Sequence, residues 1–175
     1  TLAVALPVTA QQSEYGAAID AERLQGADSE NESWLSYGRT YDEQRYSPLD
    51  QINRDTVSEL GLSWYADMTT SRGQESTPVV VDGALYITTA WSLVHAFDVR
   101  SGERLWTYDP QVDRGKGRDA CCDVVNRGVA AWDGKIFVGT LDGRLVALDS
   151  ASGDVKWEVA TVDASLPYTI TGAPR

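Results

Sequence analysis

Ala96-Phe97-Asp98-Val99-Arg100-Ser101-Gly102-Glu103-Arg104-Leu105-Trp106 and Ala147-Leu148-Asp149-Ser150-Ala151-Ser152-Gly153-Asp154-Val155-Lys156-Trp157 share the pattern Ala-x-Asp-x-x-x-Gly-x-x-x-Trp. The fold is read from the interval between them. Asp82-Gly83 overlies Asp133-Gly134 at the same shift of 51 residues (133 − 82), and the register runs without a gap to Trp106 over Trp157. Thr89 overlies Thr140, and the apolar pairs Leu85/Ile136, Tyr86/Phe137 and Ile87/Val138 match in kind. Asp-Gly suits a tight hairpin turn, whose central positions need positive φ. Each unit therefore predicts a four-stranded antiparallel meander, with strands at 78–81, 84–89, 93–98 and 104–108 and again at 128–132, 135–140, 144–149 and 155–160. Repeats of about 40 to 50 residues that each supply four strands are propeller blades. The predicted class is all-β, and two blades cannot close a ring.

Ahead of the repeat the pattern is less regular. Residues 1–10 (TLAVALPVTA) are apolar and end in a small residue, which reads as the tail of an export signal, with 1–12 its extent. Residues 13–74 form a lead-in. Its first part, 13–27, predicts a short exposed helix with Ala17, Ala18, Ala21 and Leu24 on one face. Trp34, Tyr37, Tyr41 and Tyr46 are expected to anchor an irregular packed stretch. Asn53 is placed to cap a short helix that runs through Leu60 and ends at Gly61, and 60–66 predicts a strand carrying Leu62 and Trp64 on one face. The two blades and the start of a third occupy 75–175.

A formal net charge of −11 disfavours a grip on a nucleic-acid backbone, which needs clustered Lys and Arg. One histidine, His95, and two adjacent cysteines, Cys121 and Cys122, supply no zinc ligand set of ordinary spacing and no imidazole-based triad. His95 sits mid-strand and is expected to be a hydrogen-bonded structural residue. The cysteines stand in Cys121-Cys122-Asp123-Val124-Val125-Asn126-Arg127-Gly128. On residue type they are two free thiols, partners to groups elsewhere, or a strained ring, since Cα atoms about 3.8 Å apart would host a bond that ordinarily spans about 4.4 Å or more. Asp123 is expected to order this loop. Trp91 takes the place of the turn residue Asp142 in the other unit and is expected to pack, with a lining role at the mouth as the alternative.

The Ala-x-Asp-x-x-x-Gly-x-x-x-Trp pattern resembles the tryptophan-docking motif of the quinoprotein dehydrogenase superfamily. The Cys-Cys-Asp-x-x-Asn-Arg-Gly stretch resembles its alcohol dehydrogenases that use pyrroloquinoline quinone (PQQ), including methanol and quinohaemoprotein types. The resemblance runs from about Trp34 to Arg175. It implies an eight-bladed β-propeller of W-shaped blades, of which this sequence is an N-terminal portion. It implies a Cys121–Cys122 disulfide ring lying on the cofactor face, with Glu75 (in GQESTP), Arg127 and Thr171 (in YTITGAP) bonding the cofactor's polar edge. The shift of 51 puts Glu75 over Asn126 and Ser76 over Arg127, so both charged groups should meet at one end of adjacent blades. Calcium or a lanthanide ion, its ligands and the catalytic aspartate are implied farther along than Thr171. The implied activity is periplasmic oxidation of primary alcohols to aldehydes, with electrons passing to cytochrome c or a membrane quinone, and haem c in a further domain of the quinohaemoprotein types. Two rivals remain at this point, a non-enzymatic propeller scaffold of outer-membrane assembly type and a PQQ-dependent sugar or polyol dehydrogenase.

Overall fold

The computed structural model describes residues 15–175; the expected signal segment lies outside them. Two four-stranded antiparallel sheets follow each other along the chain. The first holds β1 (Val79–Val81), β2 (Ala84–Thr88), β3 (Val94–Asp98) and β4 (Arg104–Tyr108), and the second holds β5 (Ala130–Trp132), β6 (Lys135–Gly139), β7 (Arg144–Asp149) and β8 (Val155–Ala160). Each is a meander in which sequence neighbours pair, as the repeat predicts. Both carry a bulge at the same place, between Ala96 and Phe97 and between Ala147 and Leu148. The turns at Asp82-Gly83 and Asp133-Gly134 take positive φ at all four residues, which is the backbone that two-residue hairpins demand.

The recurrent Asp, Gly and Trp each have a visible task. Asp98 Oδ1 accepts the N–H groups of Arg100 and Ser101, and Asp149 Oδ1 accepts those of Ala151 and Ser152, which folds each β-hairpin corner. At Gly153, φ is +77° and a Cβ would stand 2.7 Å from the Trp106 ring. Only glycine accommodates both the left-handed backbone and the indole lying on it. Trp106 Nε1 donates to Ser150 O at 2.9 Å, so the first sheet's outer strand is pinned to the second sheet's corner. The first sheet receives the same contact from the lead-in. Trp64 lies on Gly102, where a Cβ would be 2.5 Å from its ring, and donates Nε1 to Val99 O at 3.0 Å. On the far side, β8 is exposed along its whole length and Trp157 is 41% exposed.

One core runs through both sheets, with Val79, Val81, Tyr86, Val94, Ala96 and Trp106 packed against Ile136, Val138, Val146 and Leu148. The lead-in seals its edge. Ala17 and Ile19, both buried, accept the N–H groups of Gly134 and Asp133 at 2.8 Å through their backbone carbonyls. Arg23 reaches Glu30 at 2.7 Å and Asp82 at 2.8 Å.

Several lead-in expectations are corrected. Within the described part of the helix predicted over 13–27 only α1 (Ala21–Gln25) forms, because Ala17 and Ile19 give their carbonyls to the Asp133-Gly134 turn and Ala17 and Ala18 give their N–H groups to Ser150 Oγ and Asp82 Oδ2. Asn53 does cap a turn, its Oδ1 accepting Asp55 N and Thr56 N, but the helix beyond it is only a 3-10 turn at Val57–Glu59. The strand expected at 60–66 does not form. Among the described residues no β-bridge forms along it, and Leu62 is 80% exposed. Tyr41 and Tyr46 are exposed rather than core anchors; Leu35 is buried in their stead, and Tyr37 is held between the Arg45 and Arg175 guanidinium groups at 4.4 and 4.6 Å.

Candidate functional site

The segment that joins β4 to β5 runs through a 3-10 turn at Arg114–Asp119 and then through the cysteine pair. Beyond the pair the chain turns apolar and sinks into the core. Val124 and Val125 are buried, the former beside Ala90, Val112 and Leu141. Burying those two side chains pulls the loop down and leaves Cys121 and Cys122 exposed above it. Trp91, with φ of 66°, donates its N–H to Val124 O at 2.8 Å and lies under the Arg114 guanidinium at 4.3 Å. Its role is the packing one.

Asn126 is the peg. It is 1% exposed, its Nδ2 donates to Gly139 O at 2.8 Å and Ser92 Oγ at 3.3 Å, and its Oδ1 accepts Gly128 N at 3.1 Å. Asn126 thereby anchors the backbone from which the next side chain, Arg127, leaves. Its Nη2 meets Glu75 Oε2 at 2.8 Å and its Nη1 donates to Thr171 Oγ1 at 2.8 Å. Main-chain bonds bind the same three segments, from Thr77 N to Arg127 O at 3.1 Å and from Arg127 N to Thr171 O at 2.9 Å. Thr171 is steadied from behind, because the neighbouring Ile170 side chain fills the space that any Cβ at Gly139 would need.

The structure thus brings Glu75, Arg127 and Thr171 into one bonded cluster at the end of adjacent sheets, where the shift of 51 residues aims Glu75 and Arg127. Arg127 and Glu75 remain 35% and 42% exposed, so their polar atoms face outward as well as each other. Cys121 and Cys122 lie close enough to sense them. The Cys122 thiol is held above its ordinary range, chiefly by the adjoining Cys121 thiol, while Arg127 pulls it down and Glu75 adds to the rise. The bridge implied by the resemblance is not formed here. Both cysteines are free, the relaxed arrangement for adjacent residues joined by a trans peptide. Asp123 orders the loop as expected. It adopts φ of 67°, and its carboxyl is held low first by the Val124 N–H and then by Arg72 and the Gly73 N–H.

His95 is structural, as its mid-strand place predicts. It is buried between Thr89 Oγ1 at 3.2 Å and Thr107 Oγ1 at 3.0 Å, and burial presses its pKa down to about 4. An apolar groove of about 380 Å³ lies elsewhere, between Leu24, Leu35, Tyr37, Phe137 and Leu145. None of the cluster residues lines it. The sequence pattern gives no sign of Arg72, whose Nη1 meets Asp123 Oδ1 at 2.8 Å, or of the docking role of Trp64.

The glucose/ethanol/alcohol dehydrogenase β-propeller family of PQQ proteins matches residues 34–160. The chain is 61% identical over 143 residues to a 1-butanol dehydrogenase (cytochrome c) of Thauera butanivorans, covering 81% of this chain and 21% of that protein. It is 54% identical over 158 residues to quinohemoprotein alcohol dehydrogenase ADH-IIG of Pseudomonas putida, covering 90% of this chain and 22% of that one. Among solved structures, the quinohemoprotein alcohol dehydrogenase of Comamonas testosteroni superposes with a TM-score of 0.87 at 50% identity, over 91% of this chain and 24% of that one. A europium-containing methanol dehydrogenase does so with a TM-score of 0.82 at 38% identity, over 87% and 27%. The chain spans about a fifth of the length of those two curated relatives.

Proposed function

This chain belongs to the glucose/ethanol/alcohol dehydrogenase β-propeller family, and on that premise we propose that the protein containing it oxidises primary alcohols to aldehydes with pyrroloquinoline quinone. The observation that carries the reading is the convergence of Glu75, Arg127 and Thr171 beside two exposed cysteines. The donor set fits the cofactor. A planar, permanently charged guanidinium suits carboxylate and carbonyl oxygens, and Arg127 holds its fork half-open to solvent. When bound, the quinone supplies the two-electron acceptor chemistry, with calcium or a lanthanide ion as accompanying Lewis acid.

This chain's residues bind and orient. Arg127 neutralises and aligns the anionic edge, Thr171 Oγ1 and Glu75 fix Arg127 while offering further polar contacts, and the cysteine pair forms a flat floor. In the active form we take Cys121 and Cys122 to be bridged to each other. Export to the periplasm agrees with that oxidised state. Cytochrome c as electron acceptor agrees with the name of the 1-butanol dehydrogenase (cytochrome c) relative, a membrane quinone with the names of the alcohol dehydrogenase (quinone) relatives, and haem c in a further domain with the quinohemoprotein relatives.

The test is reconstitution of the full-length protein with PQQ and calcium, read by bound-cofactor absorbance and by alcohol-dependent dye reduction. Quinone uptake with alcohol turnover supports the reading. Failure to bind quinone overturns it in favour of a scaffold, and turnover confined to sugars or polyols moves the substrate class. Peptide mapping under alkylating, non-reducing conditions addresses the bridge: two alkylated thiols in active, quinone-loaded enzyme would remove it.

A further inference from the structure

We propose that Arg72 is a positioning residue for the cysteine pair: through Asp123 it locks the Cys121-Cys122 loop to the loop that carries Glu75, setting the spacing between the floor and the polar edge of the site. The inference rests on the cofactor reading for its consequence and on the geometry of the two loops for its mechanism.

Asp123 follows the cysteines directly and holds a left-handed backbone, φ 67°. A residue with a Cβ pays for that conformation, so its surroundings must hold it there. They do so from across 51 residues of sequence. Arg72 Nη1 donates to Asp123 Oδ1 at 2.8 Å, and the Gly73 and Val124 N–H groups lie near enough to the same carboxylate to hold its pKa down. One side chain therefore grips both loops. The Arg72 loop is shaped for the contact: Arg72 N donates to Thr70 Oγ1 at 3.1 Å, and Gln74 Nε2 donates to Arg72 O at 2.9 Å. The two loops run close there, since a Cβ added at Gly73 would stand 3.6 Å from Val125 Cγ1. Glu75 comes three residues after Arg72 and Cys122 one residue before Asp123, so loosening the pair frees both parts of the site together. The Arg72 guanidinium pairs with Asp123, whereas Glu75 pairs with Arg127, so Arg72 acts on the site indirectly.

The ion pair is half-exposed, with side-chain exposures of 55% and 34%. Exposed pairs act modestly and are screened by salt, and that gives the clamp a signature. In the full-length protein, Arg72→Met should speed alkylation of reduced Cys121 and Cys122 by roughly two- to fivefold, and weaken PQQ binding to the apoprotein by a similar factor. Arg72→Lys should recover most of both. The difference between Arg72→Met and wild type should shrink between low and about 1 M salt, where the screening length falls to about 3 Å, and Arg72→Met should add nothing in an Asp123→Asn background. A merely structural arginine would lower the melting temperature without the salt dependence or the loss of additivity. Unchanged cysteine reactivity in Arg72→Met, or additive effects with Asp123→Asn, overturns the clamp. Wild-type protein that takes up no quinone while Arg72→Met still speeds alkylation of the reduced cysteines overturns the cofactor reading and upholds the clamp.

Discussion

Exchanging Asn126 for aspartate alters one terminal group and should turn a stable peg into a pH-dependent one. Asn126 is 1% exposed and donates to Gly139 O at 2.8 Å and Ser92 Oγ at 3.3 Å while accepting Gly128 N at 3.1 Å. In Asn126→Asp the acceptor for Gly128 survives, but an ionised oxygen then faces the Gly139 carbonyl. The carboxyl escapes by holding a proton, which restores a donor. Buried carboxyls are raised by up to 3 to 5 pK units; with about 2 to 3 units here, and about 1.4 kcal/mol for each, the penalty at pH 7 is roughly 3 to 4 kcal/mol. The folded-state pKa lies above the unfolded value of about 3.9, so the folded state binds more protons between the two. Stability is therefore lost as pH rises through that window and is recovered below about pH 4.

Asn126→Ala, which leaves the Gly128 N–H and Gly139 C=O buried without this partner, should cost roughly 2 to 4 kcal/mol with no such pH dependence. The assay is the urea midpoint of each full-length variant relative to wild type at intervals from pH 4 to 8. An Asn126→Asp penalty that is flat with pH would refute the reasoning, as would wild-type stability at pH 7.

Arg127→Ala should weaken quinone retention by roughly 1.5 to 3 kcal/mol, toward the lower end because a third of the side chain meets solvent; Arg127→Lys should rescue it only in part, and equal quinone affinity in all three proteins would dismiss the contact. His95, pressed from 6.5 to about 4 by burial, binds fewer protons folded than unfolded between those values, so its contribution is lost as pH falls from about 6.5 to 4; His95→Gln should flatten that part of the stability profile by an amount on the order of 3 kcal/mol. The 175-residue chain expressed alone should self-associate, because β8 leaves Val155, Trp157 and Val159 exposed and each blade is stabilised by its neighbours; a monomer with a sharp thermal transition in sedimentation and melting experiments would contradict this.

The blades were legible because hairpin chemistry and a long internal repeat act locally. Asp-Gly turns and the Asp98 and Asp149 corners each bind their neighbours within a few residues, so β4, β7 and β8 fall at the predicted bounds. The polar cluster was legible for a related reason: the same shift that aligns the blades puts Glu75 and Arg127 at equivalent corners, and their 2.8 Å contact follows from the stacking of one blade on the next. The lead-in was not legible, because its partners lie far along the chain. Ala17 and Ile19 give up helix to bond a turn more than 100 residues away, and helical propensity is too weak to resist that.

Trp64 shows how a repeat hides one of its own members. Moved forward by the 51-residue shift it lands on Gly115, nine positions past Trp106 (115 − 106), so the alignment that found two docking tryptophans passes over a third. The offset has a physical location. From Trp106 to Asn126 the chain has room for the 3-10 turn at Arg114–Asp119, whereas from Trp64 to Glu75 it runs directly. The added residues leave the docking contact unchanged, since Trp64 meets Gly102 and Val99 O as Trp106 meets Gly153 and Ser150 O. They sit instead just before the cysteines and contact Trp91, through Arg114 above its ring and Gly117 against its edge. An insertion that spares the repeat's packing and borders the exposed thiols is how a structural repeat acquires a site on one blade alone. Arg72 stands at the matching corner of the preceding blade, where no such insertion intervenes, and it can reach Asp123 because the docking contacts hold the two corners in register.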